Sequence, residues 1–199
     1  MLVHLEGNIA SGKTTLGEAL AADPAFTFVP EPVPVWQNDF STNLLERFYS
    51  DMGRWSFTFQ IGAFATRLQA LMEADANTII VSERSIACDR YVFAPTLYEQ
   101  GAMDDLEWEV YCRLWETLTP HAPRPDAILY LRTPAEECLR RLQARRRQEE
   151  SGVTLAYLQK LEALHDDWLL QHNDAIVLDG MKRWTADEIH ALLRQKSAP

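Results

Sequence analysis

The chain has 199 residues and a mass of 22.8 kDa, enough to bury about 70% of its unfolded surface around one core. With 47% apolar and 24% charged residues its composition is that of a globular protein and excludes extended disorder. The net charge of −10 disfavours a nucleic-acid binder, yet 15 of the 19 basic residues are arginine, the side chain suited to bidentate phosphate recognition.

Residues 2–6 form a short apolar run ending at Gly7, which reads as a strand and leaves no room for a leader peptide. The three cysteines, Cys88, Cys112 and Cys138, are odd in number and widely spaced, which points to a reducing, cytoplasmic setting without disulfides. Helical text follows over 13–22. A second apolar run covers 26–29, and a long helical stretch covers 42–74 with a break near Gly53-Arg54. A β-branched run at 78–82 precedes helices at 84–100 and 104–119. A run at 127–131 precedes helices at 134–150 and 154–171. The last run, 175–178, leads to a helix over 185–195 with Thr185 and Glu188 spaced as a capping box. No apolar run reaches the roughly 18 residues of a membrane span. Short buried-type runs alternating with helices predict one α/β domain over 1–199, a five-stranded parallel sheet with helices on both faces.

Gly7-Asn8-Ile9-Ala10-Ser11-Gly12-Lys13-Thr14 matches G-x-x-x-x-G-K-[ST], between a strand and a helix as the motif requires. The glycines let backbone N–H groups converge on phosphate oxygens, Lys13 adds a compact positive charge, and Thr14 offers a hydroxyl to Mg²⁺. The loop predicts nucleoside triphosphate binding and no single activity.

Ligands of open parallel sheets bind beyond the carboxyl ends of the strands. The second strand ends at Glu31, flanked by Pro30 and Pro32, with Trp36 close behind. A carboxylate there can accept a proton from a substrate hydroxyl; the alternative is a solvated loop side chain. The third strand ends at Glu83-Arg84-Ser85, where Glu83 can hold Mg²⁺ directly or through water and Arg84 can grip a transferring phosphoryl group. Asp89 and Arg90 follow, and a helix salt bridge between them is an alternative to function. Arg140, Arg141, Arg145, Arg146 and Arg147 crowd eight positions and repel unless something anionic sits among them. A lid closing over triphosphate, about 141–152, is the sharper reading, with Arg140 and Arg146 left as solvated. Tyr49, Phe59, Gln60, Phe64 and Arg67 combine aromatic, amide and guanidinium groups that suit a flat heteroaromatic ring. Trp55 and Phe57 are expected in the core.

These residues together resemble the deoxyribonucleoside kinase family, which includes deoxycytidine, deoxyguanosine, deoxyadenosine and mitochondrial thymidine kinases. The resemblance covers nearly the whole chain. It rests on Glu6-Gly-Asn-Ile-Ala-Ser-Gly-Lys-Thr, Glu31-Pro-Val with Trp36, Phe48-Tyr49, Arg54-Trp-Ser-Phe-Thr-Phe-Gln60, Glu83-Arg-Ser, Asp89-Arg-Tyr-Val-Phe-Ala94, Pro134 with Glu137-Cys138, the Arg141/Arg145/Arg147 segment with Glu149-Glu150, and Leu155 with Tyr157-Leu158. It implies a P-loop kinase fold and a deoxyribonucleoside 5′-kinase that uses ATP and Mg²⁺.

By the same resemblance, Glu31 is the base for the sugar 5′-hydroxyl, and Arg84 lies near that hydroxyl and the phosphoryl group. Gly7, Asn8, Ala10, Ser11, Gly12, Lys13, Thr14 and Thr15 surround the donor phosphates, with Arg141, Arg145 and Arg147 contacting them from the lid. Thr14 and Glu83 are implied as Mg²⁺ partners, and Tyr49 with Glu150 as partners of the 3′-hydroxyl. Gln60 is the base-reading amide, with Trp36, Phe93 and Phe59 against the base; Glu149 takes no role from the resemblance. Arg67 and Asp89 occupy positions that resemble the deoxycytidine and deoxyguanosine kinases, which favours deoxycytidine or purine deoxyribonucleosides over thymidine. A homodimer through helices that include 45–74 and 104–119 is implied as well. Two rivals are a nucleoside monophosphate kinase, which needs extra cations for the acceptor phosphate, and a non-catalytic P-loop nucleotide-binding protein.

Overall fold

The structure, a computed structural model, describes residues 1–74 and 77–196. Residues 75–76 and 197–199 of the expected domain lie outside the described residues. In chain order the elements are β1 (Leu2–Glu6), α1 (Lys13–Leu20), β2 (Phe26–Val29), α2 (Val33–Asn38), α3 (Leu44–Ser50) and α4 (Met52–Met72). Then come β3 (Ile79–Glu83), α5 (Ile86–Cys88), a π-helical turn (Asp89–Phe93), α6 (Ala94–Glu99) and α7 (Asp105–Leu118). The chain continues with β4 (Ala127–Arg132), α8 (Ala135–Arg145), a 3₁₀ turn (Gln148–Glu150), α9 (Leu155–Leu169), β5 (Ala175–Asp179) and α10 (Ala186–Lys196).

The five strands form one parallel sheet in the order β2-β3-β1-β4-β5. β1 is central and buried throughout, which suits its three apolar residues and also buries His4 and Glu6. Leu16 and Leu20 of α1 and Ile189 and Leu193 of α10 join Val3, Leu5, Val81, Leu129 and Leu178 in one core cluster. A second cluster joins Cys138 and Leu142 of α8, Leu158 and Leu161 of α9, Cys88 and Val92. A third cluster, with no strand residue among those named, brings together Trp36, Leu44, Leu45, Phe48, Phe59, Ala63, Leu97, Met103 and Tyr111. The parallel order aligns all the strands' carboxyl ends on one side, and the register Leu5↔Glu83 brings the phosphate loop beside the end of β3. The three cysteines are free.

Several element boundaries differ from expectation. Residues 33–38, unassigned from sequence, form α2, which tolerates Pro34 because it falls in the first turn. The break in the long helix lies at Asp51, whose Oδ1 accepts from Arg54 N at 3.1 Å and caps α4. Gly53 is simply inside the first turn of that helix. The stretch 84–100 is not one helix, because Arg84 takes φ 65° and a π-turn interrupts it at 89–93. The helix from 134 ends at Arg145, since Arg146 adopts φ 54°. Trp55 is not core: it is partly exposed, with the guanidiniums of Arg54 and Arg47 over its ring at 4.5 and 5.6 Å. Phe57 packs against the third cluster while only partly buried. The Thr185 capping box is present, with Glu188 N donating to Thr185 Oγ1 at 3.3 Å and Thr185 N donating back to Glu188 Oε2 at 3.0 Å.

Candidate active site

Gly7 closes β1 at φ 149°, and a Cβ there would lie 2.6 Å from the Leu131 carbonyl oxygen. Only glycine fits both the conformation and the space. The loop then turns so that Ala10, Ser11, Gly12, Lys13, Thr14 and Thr15 line a cavity of about 670 Å³. Gly7 and Asn8 stand behind that wall, their carbonyl oxygens accepting from Lys13 Nζ at 3.1 and 2.7 Å. Burial and the nearby Arg84 bring Lys13 down to about 8, with Glu83 and Glu31 opposing.

Thr14 Oγ1 donates to Glu83 at 2.9 and 3.1 Å from its two carboxylate oxygens. A hydroxyl and a carboxylate paired at the mouth of a phosphate loop are hard oxygen donors of the kind Mg²⁺ takes, so these residues fit that ion.

Arg84 is held from β1. Its N–H donates to Leu5 O at 3.0 Å, and Ser85 N donates to the buried Glu6 Oε1 at 2.9 Å. This clamp supports the left-handed backbone of Arg84, a conformation that needs such support in a non-glycine residue. The guanidinium then donates from Nε to Glu31 Oε1 at 3.0 Å and from Nη1 to Gly7 O at 3.1 Å, and lies 4.7 Å from the centre of the Phe93 ring. Glu31 also pairs with Arg67 Nη2. Burial pushes the Glu31 carboxyl up, but Arg84, Arg67 and Lys13 outweigh it and hold it at about 2. Glu31 is therefore an ionised, anchored group rather than a solvated loop side chain.

Arg67 Nη1 holds both Asp89 oxygens, at 2.5 and 2.6 Å. Burial pushes Asp89 up to about 6, and the Arg67 guanidinium limits the rise. An Asp89–Arg90 helix salt bridge is not formed; the Arg90 guanidinium instead lies 4.9 Å from the Trp108 ring centre. Gln60 is buried, and among the described residues its Oε1 has no partner. Trp36 meets Phe59 edge to face at 5.2 Å and donates from Nε1 to Thr66 Oγ1 at 2.9 Å. Trp36, Tyr49, Phe59, Gln60, Arg67, Asp89, Phe93 and Glu150 all line the same cavity as the phosphate loop. Phe64 does not; it packs toward Trp115.

The arginine cluster finds its anions within the chain. Glu137 pairs with Arg140 and Arg141, at 2.7 and 2.6 Å. Glu150 pairs with Arg147 at 2.8 Å and with Arg145. Arg140 and Arg146 are exposed, as expected. Arg141 also donates to Ser11 O at 2.6 Å and Gly180 O at 3.0 Å, pinning α8 to the phosphate loop and to the segment after β5. Tyr49 is pushed far above the ordinary phenol range by burial and by Tyr157 and Glu150 nearby, so it keeps its proton.

Sequence reasoning missed two parts. Tyr157 lines the main cavity. A second cavity of about 510 Å³ lies between Ser11, Gly12, Thr15, Arg141 and the segment Gly180–Trp184. That segment follows β5 at the carboxyl edge, and the rule that ligands bind beyond strand ends pointed there. No helix among the described residues is long and apolar enough to cross a membrane.

Residues 3–191 match the family model described as deoxynucleoside kinase. The chain is 37% identical over 175 residues to a probable deoxycytidine kinase of fowlpox virus, covering 86% of this chain and 73% of that protein. It is 37% identical over 194 residues to deoxycytidine kinase of Mus musculus, covering 84% and 75%. It is 36% identical over 205 residues to mitochondrial deoxyguanosine kinase of Xenopus laevis, covering 90% and 77%. The chain belongs to the deoxynucleoside kinase family.

Proposed function

We propose that this chain, a deoxyribonucleoside kinase with ATP as phosphoryl donor, holds the acceptor's 5′-hydroxyl against Glu31 and takes deoxycytidine or a purine deoxyribonucleoside ahead of thymidine. One observation carries the reading. A half-buried, ionised Glu31 is fixed by Arg84 beside the phosphate loop and by Arg67 beside Asp89, within one cavity.

Glu31 accepts and orients the hydroxyl for in-line attack and takes its proton. Phosphoryl transfer is largely dissociative in most analyses, so the hydroxyl proton leaves late and a weak, well-placed base is sufficient. Lys13, Arg84 and the arginines of a lid over about 141–152 supply positive charge to the phosphates. Thr14 and Glu83 would hold Mg²⁺, which when bound neutralises phosphate charge. Ala10, Ser11, Gly12, Thr14 and Thr15 cradle the phosphates, with Gly7 and Asn8 holding Lys13 from behind. The second cavity, with the flat face of Trp184, suits the donor's base.

Tyr49 and Glu150 take the 3′-hydroxyl, the first as a retained proton donor and the second as an acceptor. Gln60 Oε1, buried and unpartnered, suits an exocyclic amine. Asp89 favours the same group, which cytosine and adenine carry and thymine lacks. On the acceptor side Arg67 and Arg84 already hold carboxylates rather than standing open to an acceptor phosphate, which disfavours a monophosphate kinase. The kinase acts as one domain and as a homodimer: Leu106, Val110, Leu114 and Leu118 expose an apolar stripe along α7.

Comparing kcat/KM for the four deoxyribonucleosides and their monophosphates tests the reading. Deoxycytidine or a purine deoxyribonucleoside is expected first; preference for thymidine or for a monophosphate overturns it.

A further inference from the structure

Glu149 has no part in the chemistry above, yet it bridges the nucleoside cavity. Its Oε1 accepts from Gln37 Nε2 at 2.7 Å and from Asn43 Nδ2 at 3.1 Å. Gln37 lies in the last turn of α2. Asn43 caps α3, its Oδ1 accepting from Glu46 N at 2.9 Å, which fixes where its amide nitrogen points. The bonds therefore tie the 148–150 turn, which follows the arginine helix, to two helices on the other side of the cavity.

The neighbouring Glu150 needs such a tie. It is buried, lines the cavity and stands near Tyr49 of α3. Its ion pairs run to Arg145 and Arg147, within its own segment. Those pairs travel with the turn and do not set its distance from α3. Glu149 supplies that distance, because its carboxylate, one residue earlier, bonds to Gln37 of α2 and to Asn43, which caps α3. Loss of a charge-assisted hydrogen bond at a half-buried site is felt, whereas a solvated surface carboxylate is not.

We infer that Glu149 is a positioning residue, which anchors the turn after α8 to α2 and α3 and so holds Glu150 opposite Tyr49 for the nucleoside 3′-hydroxyl. The inference rests on the reading of Glu150 as a partner of that hydroxyl. It predicts coupling between residue 149 and one atom of the substrate that it does not touch.

The test is Glu149→Ala assayed with deoxycytidine and with 2′,3′-dideoxycytidine, or with the corresponding guanosine pair if the substrate panel favours it. The expected result is a nucleoside KM raised about tenfold for the substrate with a 3′-hydroxyl, a kcat little changed, and no change in KM for the dideoxy analogue. Glu149→Gln keeps an acceptor oxygen for both amides and restores most of the affinity. Gln37→Ala reproduces part of the loss, and combining it with Glu149→Ala adds little. Equal effects on both nucleosides, or none on either, overturn the inference. Glu150→Ala separates the two levels. If it too fails to discriminate the 3′-hydroxyl, the reading of Glu150 falls; if it discriminates and Glu149→Ala does not, the positioning role alone falls.

Discussion

Arg67 Nη1 holds Asp89 through both carboxylate oxygens, at 2.5 and 2.6 Å, while the other terminal nitrogen of the same guanidinium holds Glu31. One buried side chain thus joins the group proposed to read the base to the group proposed to receive the proton. Removing either partner leaves an uncompensated buried charge, a loss of about 3–5 kcal/mol, whereas replacing both with apolar groups is far better tolerated. The double substitution Arg67→Met with Asp89→Ala is therefore expected to fold and to accept thymidine. The ratio of kcat/KM for deoxycytidine over thymidine should fall at least about tenfold, the scale of one pocket contact. Steady-state kinetics on the two nucleosides checks this, and an unchanged ratio removes the pair from base choice.

Glu31→Gln keeps the shape and the acceptor oxygen but loses the charge. The expected outcome is a fall in kcat of roughly 10²–10⁴-fold with nucleoside affinity little changed, the range of a positioned general base. Because Glu31 sits at about 2, its titration leaves no acid limb near neutral pH in the wild type. Arg67 is one of the groups holding it down, so Arg67→Met should move that limb upward in the pH profile of kcat/KM.

His4 lies in the central strand with its Nε2 buried and unpartnered among the described residues. Burial lowers it to about 4, from an ordinary value of 6.5. The unfolded chain takes up the proton at 6.5 and the folded chain does not, so its contribution is complete above 6.5 and is lost as pH falls toward 4. The loss amounts to about 3 kcal/mol. Asp89, raised to about 6, works in the opposite sense below that pH. The clean readout is therefore a comparison of variants: His4→Leu should flatten the decline in Tm between pH 6.5 and 4.

Leu106, Val110, Leu114 and Leu118 recur at every fourth position of α7, and all are exposed in the single chain. The homodimer proposed above would pair this stripe across its interface. Val110→Glu with Leu114→Glu should convert a dimer to a monomer in sedimentation or size-exclusion analysis. A wild-type monomer at micromolar concentration would count against the dimer.

What the sequence made legible follows the range of each signal. The phosphate loop, the five strands and the strand-end residues Glu31, Glu83 and Arg84 are local patterns, and their placement at one sheet edge follows from parallel topology. The partners of those residues are not local. Arg67 meets Glu31 from 36 positions away, and Glu149 meets Gln37 from 112. No periodicity encodes such pairs. The arginine cluster suggested an external anion, but Glu137 sits at helical spacing from Arg141 and Glu150 only a few residues beyond Arg145. Trp55 looked like core because aromatic content does not reveal which side of a helix faces Arg47.

The segment after β5 carries the last prediction. A Cβ on Gly180 would lie 1.8 Å from Thr133 Oγ1 and 2.8 Å from the Arg132 carbonyl oxygen. Thr133 Oγ1 donates to Ser11 O in the phosphate loop at 2.9 Å, and Gly180 O itself accepts from Arg141 at 3.0 Å. Gly180→Ala must therefore push apart the contacts that seat the loop and the arginine helix against the second cavity. Overpacking of this kind costs about 1–3 kcal/mol, so Tm should fall. If the cavity takes the donor's base, KM for ATP should rise well beyond any change in KM for the nucleoside, whose proposed partners Trp36, Tyr49, Gln60 and Phe93 line the main cavity and not this one. A fall in Tm with KM for ATP unchanged would leave Gly180 a packing residue and remove the second cavity from donor binding.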